Sequence, residues 1–439
     1  MEREVLRRIK PTQSEDRKAE QTVGELFGLV EEAARDVDAS IEPRLVGSVA
    51  KDTHLKDPDL DIFMLFPENT TVDELRDKGL EIGRRVLGGE EHYAQHPYVR
   101  GEHNGFVVDL VPCFLVRDPA RKMSAVDRTP FHTEFIKANL APSKRDDVRL
   151  LKQFMKGIGC YGAEAKVQGF SGYLCELLTM RFDDFGGVLE VASRWRRGEK
   201  LALPDHPGKE FAEPLTFVDP VDSSRNVASA VSIEALETFT VASRAYLEEP
   251  SLSFFYPKAV RSWSADRITA EAGARIDGLV AVSFRKPDLI DDVLYPQLRK
   301  SLSSMTALLR RNDFVVTKTT VDVGRDVCIL IEVESMELSE SRVHRGPPSG
   351  SPNAHEFLAK WGEAGLSAPY EESGRWYVIV EREHRRADGL LREELPSLSL
   401  GKDLMKVLTI EVSSGRESLV GRHARALTKH LDERMPWER

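Results

Sequence analysis

One stretch decides the fold of the first part of the chain: residues 46–66, which read VGSVAKDTHLKDPDLDIFMLF. A Gly-Ser turn opens this stretch, and Asp59 and Asp61 stand just before an apolar run that closes it. Side chains alternate faces along an extended strand, so we expect both carboxylates on one face and the apolar residues on the other. Two like charges at a buried strand are costly unless a cation relieves them, and Asp oxygens are ligands that Mg²⁺ prefers. The stretch therefore predicts a magnesium site at the mouth of a buried strand.

The turn at Gly47-Ser48 adds weight to that prediction. An Asp-x-Asp pair alone is common and equally describes a solvated turn before a strand. Glycine lets a backbone approach a phosphate closely, and Ser48 adds a hydroxyl and an N–H donor. A Gly-Ser turn followed by Asp-x-Asp at a strand start resembles the nucleotidyltransferases related to DNA polymerase β. That superfamily needs a third carboxylate on a neighbouring strand, and Asp109 is the candidate because it interrupts the apolar run 106–111.

Length and composition describe a chain of several globular domains. The 439 residues exceed one ordinary core, so about two to four domains are expected. The hydrophobic share of 41% excludes a disordered chain, and no apolar run reaches the roughly 20 residues that span a bilayer. Four scattered cysteines and a charged N-terminus favour buried thiols in a reducing cytoplasm. The net charge of −10 argues against indiscriminate nucleic-acid binding but leaves room for an RNA partner at local basic patches.

The hydrophobic patterns divide the chain into three predicted domains. Strands and helices alternate over 1–140, which predicts a mixed α/β catalytic domain. Helical patterns dominate 141–265, including a cationic amphipathic helix at 146–158 and a helix that begins at Ser171. Strands and one long helix alternate over 266–439, which predicts a small α/β domain. The predicted class is therefore a multidomain α+β protein.

Two features of the last domain bear on its fold and its partner. Basic residues cluster at 285–311 and 342–345, and aromatic residues follow at Trp376-Tyr377, which predicts an RNA-backbone surface. Scattered solvated charge is the alternative explanation of each cluster taken singly. The pattern also predicts a loop over 385–402 and a last helix over 415–433.

Nearly from end to end, the chain resembles the archaeal-type (class I) CCA-adding enzymes, which are tRNA nucleotidyltransferases. The segments that carry this resemblance follow one another along the chain: 47–67 (GSVAKDTHLKDPDLDIFMLFP), 96–113 (HPYVRGEHNGFVVDLVPC), 124–132 (SAVDRTPFH), 161–178 (YGAEAKVQGFSGYLCELL), 218–228 (VDPVDSSRNVA), 284–298 (FRKPDLIDDVLYPQL), 344–348 (HRGPP) and 374–382 (GRWYVIVER). The resemblance implies a polymerase β-like domain with a mixed sheet, a helical central domain that completes the nucleotide pocket, and a C-terminal α/β domain that binds tRNA.

The resemblance also assigns roles to individual residues. Asp59, Asp61 and Asp109 match the family's metal-binding carboxylates, which hold two Mg²⁺ ions about 4 Å apart to activate the tRNA 3′-hydroxyl and stabilise the leaving pyrophosphate. The nucleotide contacts implied for CTP and ATP are Ser48 and Lys51 at the triphosphate, Lys152 and Tyr161 near the phosphates and sugar, His132, and Arg225 at the incoming base. Taken singly, His132 also fits a packed histidine, and Arg225 a surface charge at a helix end.

The implied reaction is template-independent addition of C, C and A to the 3′ end of tRNA from CTP and ATP. The C-terminal domain is expected to grip the acceptor and TΨC arms by shape and backbone. A homodimer, and tandem CCACCA addition to unstable tRNAs, are further implications of the resemblance. Two departures from the family are visible. Lys51 stands where arginine is usual, which keeps the charge but loses the bidentate fork, and the spacer from Ser48 to Asp59 is one residue shorter.

Other functions fit the same carboxylates. A poly(A) polymerase would accept ATP alone and a less structured RNA, and the segments at 169–178 and 218–228 argue against it. A catalytically inactive tRNA-binding protein would keep the C-terminal domain without the chemistry, as would a generic RNA-binding scaffold. The intact acids argue against an inactive protein, and the lysine at position 51 is the feature that keeps this alternative open.

Overall fold

The computed structural model describes residues 1–38, 40–93, 97–118, 124, 126–206, 208–407 and 409–439. These residues form two compact units, Met1–Lys258 with Arg434–Arg439, and Ala259–Glu433. The first unit holds a mixed sheet and a helical region, and the second is built around antiparallel sheets. The predicted α+β class is confirmed. Across the described part of the chain, every helix is too short or too polar to cross a membrane.

The first unit contains nine α-helices and seven strands within those described residues. In chain order they are α1 (Glu2–Ile9), α2 (Gln13–Arg35), β1 (Glu42–Val46), α3 (Gly47–Ala50), β2 (Leu60–Phe66), α4 (Val72–Leu87), β3 (Glu90–Tyr93), β4 (Pro97–His103), β5 (Phe106–Phe114), α5 (Thr129–Asn139), α6 (Arg145–Ile158), α7 (Gly172–Phe182), α8 (Phe185–Ala192), β6 (Glu199–Leu201), β7 (Leu215–Phe217) and α9 (Ile233–Glu248).

The five-stranded sheet of this unit runs in the order β1-β2-β5-β4-β3, with β2 and β5 parallel and the other neighbours antiparallel. Leu60, Ile62 and Met64 face a core shared with α2 and α4, while Phe63 and Leu65 lie in a separate cluster. The predicted alternation along β2 is therefore confirmed. Because the period is two residues, it leaves Asp61 on the face opposite the main core of the sheet.

A tight hairpin fixes the register of β4 against β5. Asn104 and Gly105 both have positive φ, 51° and 80°, as the two central residues of a type I′ turn require. His103 pairs with Phe106 directly outside this turn. Every pair further down the hairpin follows from that one, which aligns the polar residues of the two strands.

The helical region packs around Phe154 of α6, which contacts a group of aromatic side chains edge-on or stacked: Phe185, Phe239, Tyr246, Phe254 and Phe255. Ser171 caps α7 by accepting a hydrogen bond from the Leu174 N–H at 3.1 Å, so the predicted helix start is confirmed. The apolar cluster reaches α1 at one end of the chain and Trp437 at the other. Both chain ends therefore belong to this unit.

The second unit contains five α-helices and seven strands among the residues described. They are α10 (Ala265–Ala272), β8 (Leu279–Arg285), α11 (Asp291–Arg311), β9 (Val316–Val323), β10 (Asp326–Val333), β11 (Ser341–Pro348), α12 (Ala354–Ala364), β12 (Tyr370–Glu372), β13 (Arg375–Glu381), α13 (Ala387–Glu394), β14 (Ile410–Ser414) and α14 (Ala424–Leu431). One sheet has the order β14-β8-β10-β9, with α11 and α13 in one apolar cluster and α10 and α14 in another. The other sheet has the order β11-β13-β12 and packs on α12.

Two predictions for this unit are wrong. The segment predicted as a loop over 385–402 contains α13, whose Leu390 and Leu391 are buried in the core. The Asp388-Gly389 pair is typical of a solvated turn, and this signal led to the prediction of a loop. In the structure Asp388 is instead buried and accepts a hydrogen bond from the Ser414 hydroxyl at 2.7 Å. The last helix occupies only α14, since the residues before it form β14 and short 3₁₀ turns.

Candidate active site

Three neighbouring strands bring polar side chains to one place. Asp61 on β2 lies directly opposite Asp109 on β5, and Asp109 lies directly opposite Arg100 on β4. Residues paired in this way are neighbours on one face of the sheet. Asp59 precedes β2 by one residue and completes the group. We call Asp59, Asp61 and Asp109 the carboxylate edge.

Arg100 clamps one member of the carboxylate edge. Its Nε donates to Asp109 Oδ1 at 2.6 Å and its terminal nitrogen to Asp109 Oδ2 at 2.7 Å, a bidentate pair. The same terminal nitrogen lies 3.4 Å from Asp59 Oδ2. Sequence reasoning missed Arg100. The signal was present in the Asn104-Gly105 turn, because a two-residue hairpin loop places residue 100 opposite residue 109.

The carboxylate edge carries unfavourable negative charge. Burial, followed by the charges of Asp109 and Asp59, raises the pKa of Asp61 to about 7. Burial also raises the pKa of Asp59, against the opposing effect of Arg100. Raised carboxyl pKa values mean that the ionised forms are destabilised here, so a cation from outside would be bound favourably.

Gly47 packs directly on this edge. Its φ is +72°, and a Cβ added to it would lie 2.0 Å from Oδ2 of Asp61. Only glycine meets both conditions, the left-handed backbone and the close approach. The Gly-Ser turn is thus held against the carboxylate that the sequence paired with it.

An open cleft of about 280 Å³ lies over the carboxylate edge. The side chains that line it come from α3, β2, β4, β5, α6 and the loops around them: Ser48, His54, Leu55, Lys56, Asp57, Pro58, Asp59, Asp61, Arg100, Asp109, Lys152, Lys156 and Tyr161. Six of the nine residues predicted for the site therefore meet in one cleft. Tyr161 sits with Lys156 Nζ 5.3 Å from its ring centroid, and burial raises the pKa of its hydroxyl.

Lys51 and Lys152, of which Lys152 lines the cleft, share one carboxylate, Glu176 of α7. Lys51 Nζ donates to Glu176 Oε2 at 2.6 Å, and Lys152 Nζ lies 3.4 Å from Oε1. Lys152 also donates to the carbonyl oxygen and hydroxyl of Thr53, at 3.0 and 3.1 Å. Lys51 is 7% exposed, Lys152 1% and Glu176 0%. We call Lys51, Lys152, Thr53 and Glu176 the lysine network.

His132 and Arg225 share a second buried carboxylate, Asp219. His132 Nε2 lies 2.9 Å from Asp219 Oδ2, and an Arg225 nitrogen donates to the same oxygen at 2.9 Å. The ring of His132 stacks on Tyr173 with centroids 4.1 Å apart, and Tyr173 donates to Asp219 Oδ1 at 3.2 Å. Burial lowers the pKa of His132, against the opposing effect of Asp219. The neutral ring therefore donates to Asp219 through Nε2, which leaves Nδ1 as an acceptor.

The two clusters are contiguous through Tyr173. Lys51 Nζ lies 5.7 Å from the Tyr173 ring centroid, on the side chain that stacks on His132. Sequence reasoning missed Glu176, Asp219 and Tyr173. A glutamate inside the apolar segment 172–178 was the available signal for the first, because a buried acid needs a cation. Acids, lysines and an arginine lie around one cleft, and this combination of side chains can bind a metal ion and phosphate groups.

Family models match three successive parts of the chain. Residues 28–132 match the nucleotidyltransferase domain, residues 146–256 the tRNA nucleotidyltransferase second domain, and residues 275–415 the CCA-adding enzyme C-terminal domain. Together these ranges cover most of the chain, in the order of the predicted domains.

Relatives from archaea match along nearly the whole chain. The CCA-adding enzyme of Methanosarcina acetivorans is 39% identical over 422 residues, which cover 94% of this chain and 92% of that protein. The CCA-adding enzymes of Methanosarcina barkeri and Methanothermobacter thermautotrophicus are 40% and 41% identical, each over 91% of this chain and 90% of the relative.

Proposed function

The chain belongs to the CCA-adding enzymes, and on that premise we propose how its residues complete the 3′ end of tRNA with C, C and A from CTP and ATP. The carboxylate edge is the catalytic centre in this proposal. The observation that carries it is the strand register, which aligns Asp61 with Asp109 beside the Gly-Ser turn. The lysine network, which reaches this cleft through Lys152, and the neighbouring cluster of His132 and Arg225 then serve the nucleotide.

The carboxylate edge fits Mg²⁺ by the chemistry of its donors. Asp59, Asp61 and Asp109 present carboxylate oxygens in an open cleft. The raised pKa values of Asp59 and Asp61 show that their ionised forms are destabilised there, so that a bound cation would stabilise them. In the described residues, no three His, Cys, Asp or Glu side chains already surround one point as a metal cage does. A site that takes some of its ligands from substrate phosphates is consistent with that observation. When bound, Mg²⁺ lowers the pKa of the attacking 3′-hydroxyl and stabilises charge on the leaving pyrophosphate.

The chain's own side chains supply the binding and orientation of the nucleotide. Ser48 contacts the triphosphate beside the carboxylate edge, and Lys51 and Lys152 add positive charge from the lysine network. Tyr161 orients the sugar and phosphates from the cleft wall, where it lines the same cavity as Ser48. Holding reactants in place in a site with preorganised charge is the main source of rate enhancement expected here.

His132 and Arg225 serve the incoming base in this proposal. Their common partner Asp219 fixes both side chains, and Arg225 keeps the donors of its guanidinium that Asp219 does not use. The acceptor at His132 Nδ1 suits an exocyclic amino group, which cytosine and adenine carry and uracil and guanine lack at that ring position. The choice of C and A thus has a chemical basis in this cluster.

The three predicted domains and the partners complete the proposal. We assign nucleotidyl transfer to 1–140, completion of the nucleotide pocket to 141–265 and tRNA binding to 266–439, except that Arg434–Arg439 pack in the first unit. The family-model boundaries at 132, 146, 256 and 275 support these divisions. Contact with the acceptor and TΨC arms, a homodimer, cytoplasmic action and CCACCA addition rest on the family resemblance.

An extension assay tests the proposed function. The protein is incubated with Mg²⁺ and a tRNA that ends at its discriminator base, with CTP alone, ATP alone, or both. We expect two added nucleotides with CTP and three with both, and we expect Asp61→Ala to abolish extension. Long A tails with ATP alone would identify a poly(A) polymerase instead. Binding of tRNA without any extension would identify an inactive tRNA-binding protein.

A further inference from the structure

We propose that Glu176 is the positioning residue of the nucleotide pocket, because it holds the ammonium groups of Lys51 and Lys152 where a triphosphate needs them. This inference rests on the proposed function and extends it to a residue outside the cleft lining. Glu176 touches no substrate atom in this account and acts only through the two lysines.

The surroundings of Glu176 are the first argument. It lies on α7, and its neighbours Leu174, Cys175, Leu177 and Leu178 are all buried apolar residues. Glu176 itself is fully buried. An apolar side chain would suit such a helix position better unless the charge has a task, since a buried ionised carboxylate is costly without partners.

The partners of Glu176 are the second argument, because they come from separate elements. Oε2 accepts from Lys51, which follows α3. Oε1 accepts from Thr53 at 2.5 Å and faces Lys152 of α6. One carboxylate therefore ties the Gly-Ser turn region to the helical region on the two sides of the cleft.

The charge balance is the third argument. Two ammonium groups face one carboxylate, so the lysine network carries a net positive charge in a buried place. Lys152 places its three N–H donors on Thr53 and Glu176. Lys51 has one hydrogen-bond partner, Glu176, among the residues described, so two of its donors remain for another acceptor. An anion at the cleft satisfies both the charge and the donors.

The pKa values agree with this arrangement. Burial alone would raise the pKa of Glu176, but Lys51 and Lys152 outweigh burial and hold that pKa below its ordinary value. Burial lowers the pKa of Lys152, and Glu176 opposes that effect. Glu176 therefore favours the charged form of Lys152 and accepts hydrogen bonds from both lysines.

Glu176→Gln is the direct variant. The amide keeps the shape, but its Nε2 is a donor and would face the ammonium of Lys51 or the donors of Thr53 and Lys152. Lys51 or Lys152 then loses its carboxylate acceptor, and its ammonium group is no longer held in place. Glu176→Asp keeps the charge on a side chain one methylene shorter, so it is expected to restore part of the effect.

The measurement compares CTP with cytidine, which lacks the phosphates. Affinities for both are determined with Mg²⁺ and without tRNA, cytidine by displacement of CTP, and melting temperatures are recorded. We expect Glu176→Gln to weaken CTP binding about tenfold or more while cytidine binding is unchanged. Lys51→Ala should show the same selective loss.

Asp127→Asn is the matched control. Asp127 is a fully buried carboxylate of the same unit that accepts from the Phe114 and Ser124 backbone N–H groups at 3.1 and 2.5 Å. Its variant should lower the melting temperature without changing the ratio of CTP to cytidine affinity. This separates loss of a buried acid from loss of lysine positioning.

The outcomes are distinguishable. Unchanged or tighter CTP binding in Glu176→Gln, with Lys51→Ala still impaired, overturns the role of Glu176 and leaves the proposed function intact. Equal loss of CTP and cytidine binding in Glu176→Gln also overturns it, since that result marks a merely structural residue. Unchanged CTP binding in Lys51→Ala places the failure in the proposed nucleotide contacts. If Glu176→Gln does not fold, Glu176→Asp decides by the same ratio, with a smaller loss expected.

Discussion

The sheets of the two units both carry acidic side chains on their strands, and they neutralise those acids in different ways. In the second unit, Asp322 on β9 accepts from Arg425 at 2.8 Å and from Lys429 at 2.7 Å. Glu332 on β10 accepts both arms of the Arg275 fork, at 2.8 and 2.7 Å. Each of these two acids has its own basic partners from nearby helices or turns.

In the first unit, one guanidinium pairs with two of the three acids of the carboxylate edge. Arg100 clamps Asp109 and reaches Asp59, while Asp61 has no ion pair among the residues that the structure describes. The pKa values divide accordingly. Burial raises those of Asp59 and Asp61, whereas ion pairs lower those of the acids on the second sheet.

This difference separates two kinds of acid on a sheet. An acid with local cations is explained by the fold itself, and its removal should cost stability. An acid without them is explained only by a charge that arrives from outside, and its removal should cost activity. The predictions below ask whether stability and activity separate between the two sheets in this way.

The largest expected effect is on the chemistry of the first sheet. Asp61→Asn should lower pyrophosphate release during CCA addition by about 10²–10³-fold or more, because one of three candidate metal ligands loses its charge. Its free energy of unfolding should be unchanged or higher, since repulsion within the carboxylate edge falls. Steady-state pyrophosphate release and urea denaturation measure the two quantities. A large loss of stability in Asp61→Asn would erase the distinction between the sheets.

The next effect is on the stability of the second sheet. Glu332→Gln should destabilise that unit by about 1–2 kcal/mol, because the partly exposed Arg275 loses its bidentate charged acceptor and keeps only the longer contact with Glu433. Hydrogen exchange of the β8 and β10 amides reports this unit separately from the first one. Pyrophosphate release at saturating tRNA should stay near the wild-type rate at temperatures where the variant is folded. Unchanged exchange would show that these ion pairs do not support the sheet.

The smallest effect is a difference in pH dependence. The pKa of Asp61 is raised to about 7 in the fold, well above the unfolded value of roughly 3.9. Between these values the folded state binds a proton that the unfolded state does not, so this group makes stability fall as pH rises from about 4 to 7. In a chelating buffer, Asp61→Asn should therefore gain stability relative to wild type as pH rises across that window. A constant difference between the two proteins would contradict the raised pKa.

For the second sheet the sign is opposite. Ion pairing lowers the pKa of Asp322 and Glu332, chiefly against burial for Asp322 and through the Arg275 hydrogen bonds for Glu332. Their contribution is present above the unfolded pKa values and is lost as pH falls through the folded ones. Acidification should thus weaken the β9–β10 region while it relieves the carboxylate edge, which hydrogen exchange on the two sheets can compare.

The acids of the first sheet could be predicted from the sequence, whereas the residues that contact the predicted site residues were not predicted. Asp59 and Asp61 were readable because an apolar strand and a Gly-Ser turn frame them, and Asp109 because it interrupts an apolar run. Arg100 could have been predicted from the hairpin turn at Asn104-Gly105, because this turn sets the register that pairs residue 100 with residue 109. Register can be counted from a tight turn, so this part of the site was accessible in principle.

Other parts of the site depend on tertiary packing that spacing does not encode. Lys51 and Glu176 are 125 positions apart, and the sequence around each residue does not predict its contact with the other. The same holds for His132 and Asp219, which are 87 positions apart. The short helix α13 was missed for a local reason, since an Asp-Gly pair signals a turn more often than a buried helix start.

Binding of Mn²⁺ to the carboxylate edge distinguishes a catalytic metal site from a set of structural acids. Mn²⁺ accepts the same oxygen ligands as Mg²⁺, and its electron paramagnetic resonance signal reports bound and free ion. We expect wild-type protein with CTP to bind Mn²⁺, Asp61→Asn to lose that binding, and Glu332→Gln to retain it in the folded protein. Retention of Mn²⁺ by Asp61→Asn, with wild-type affinity, would contradict the assignment of the carboxylate edge as the catalytic centre.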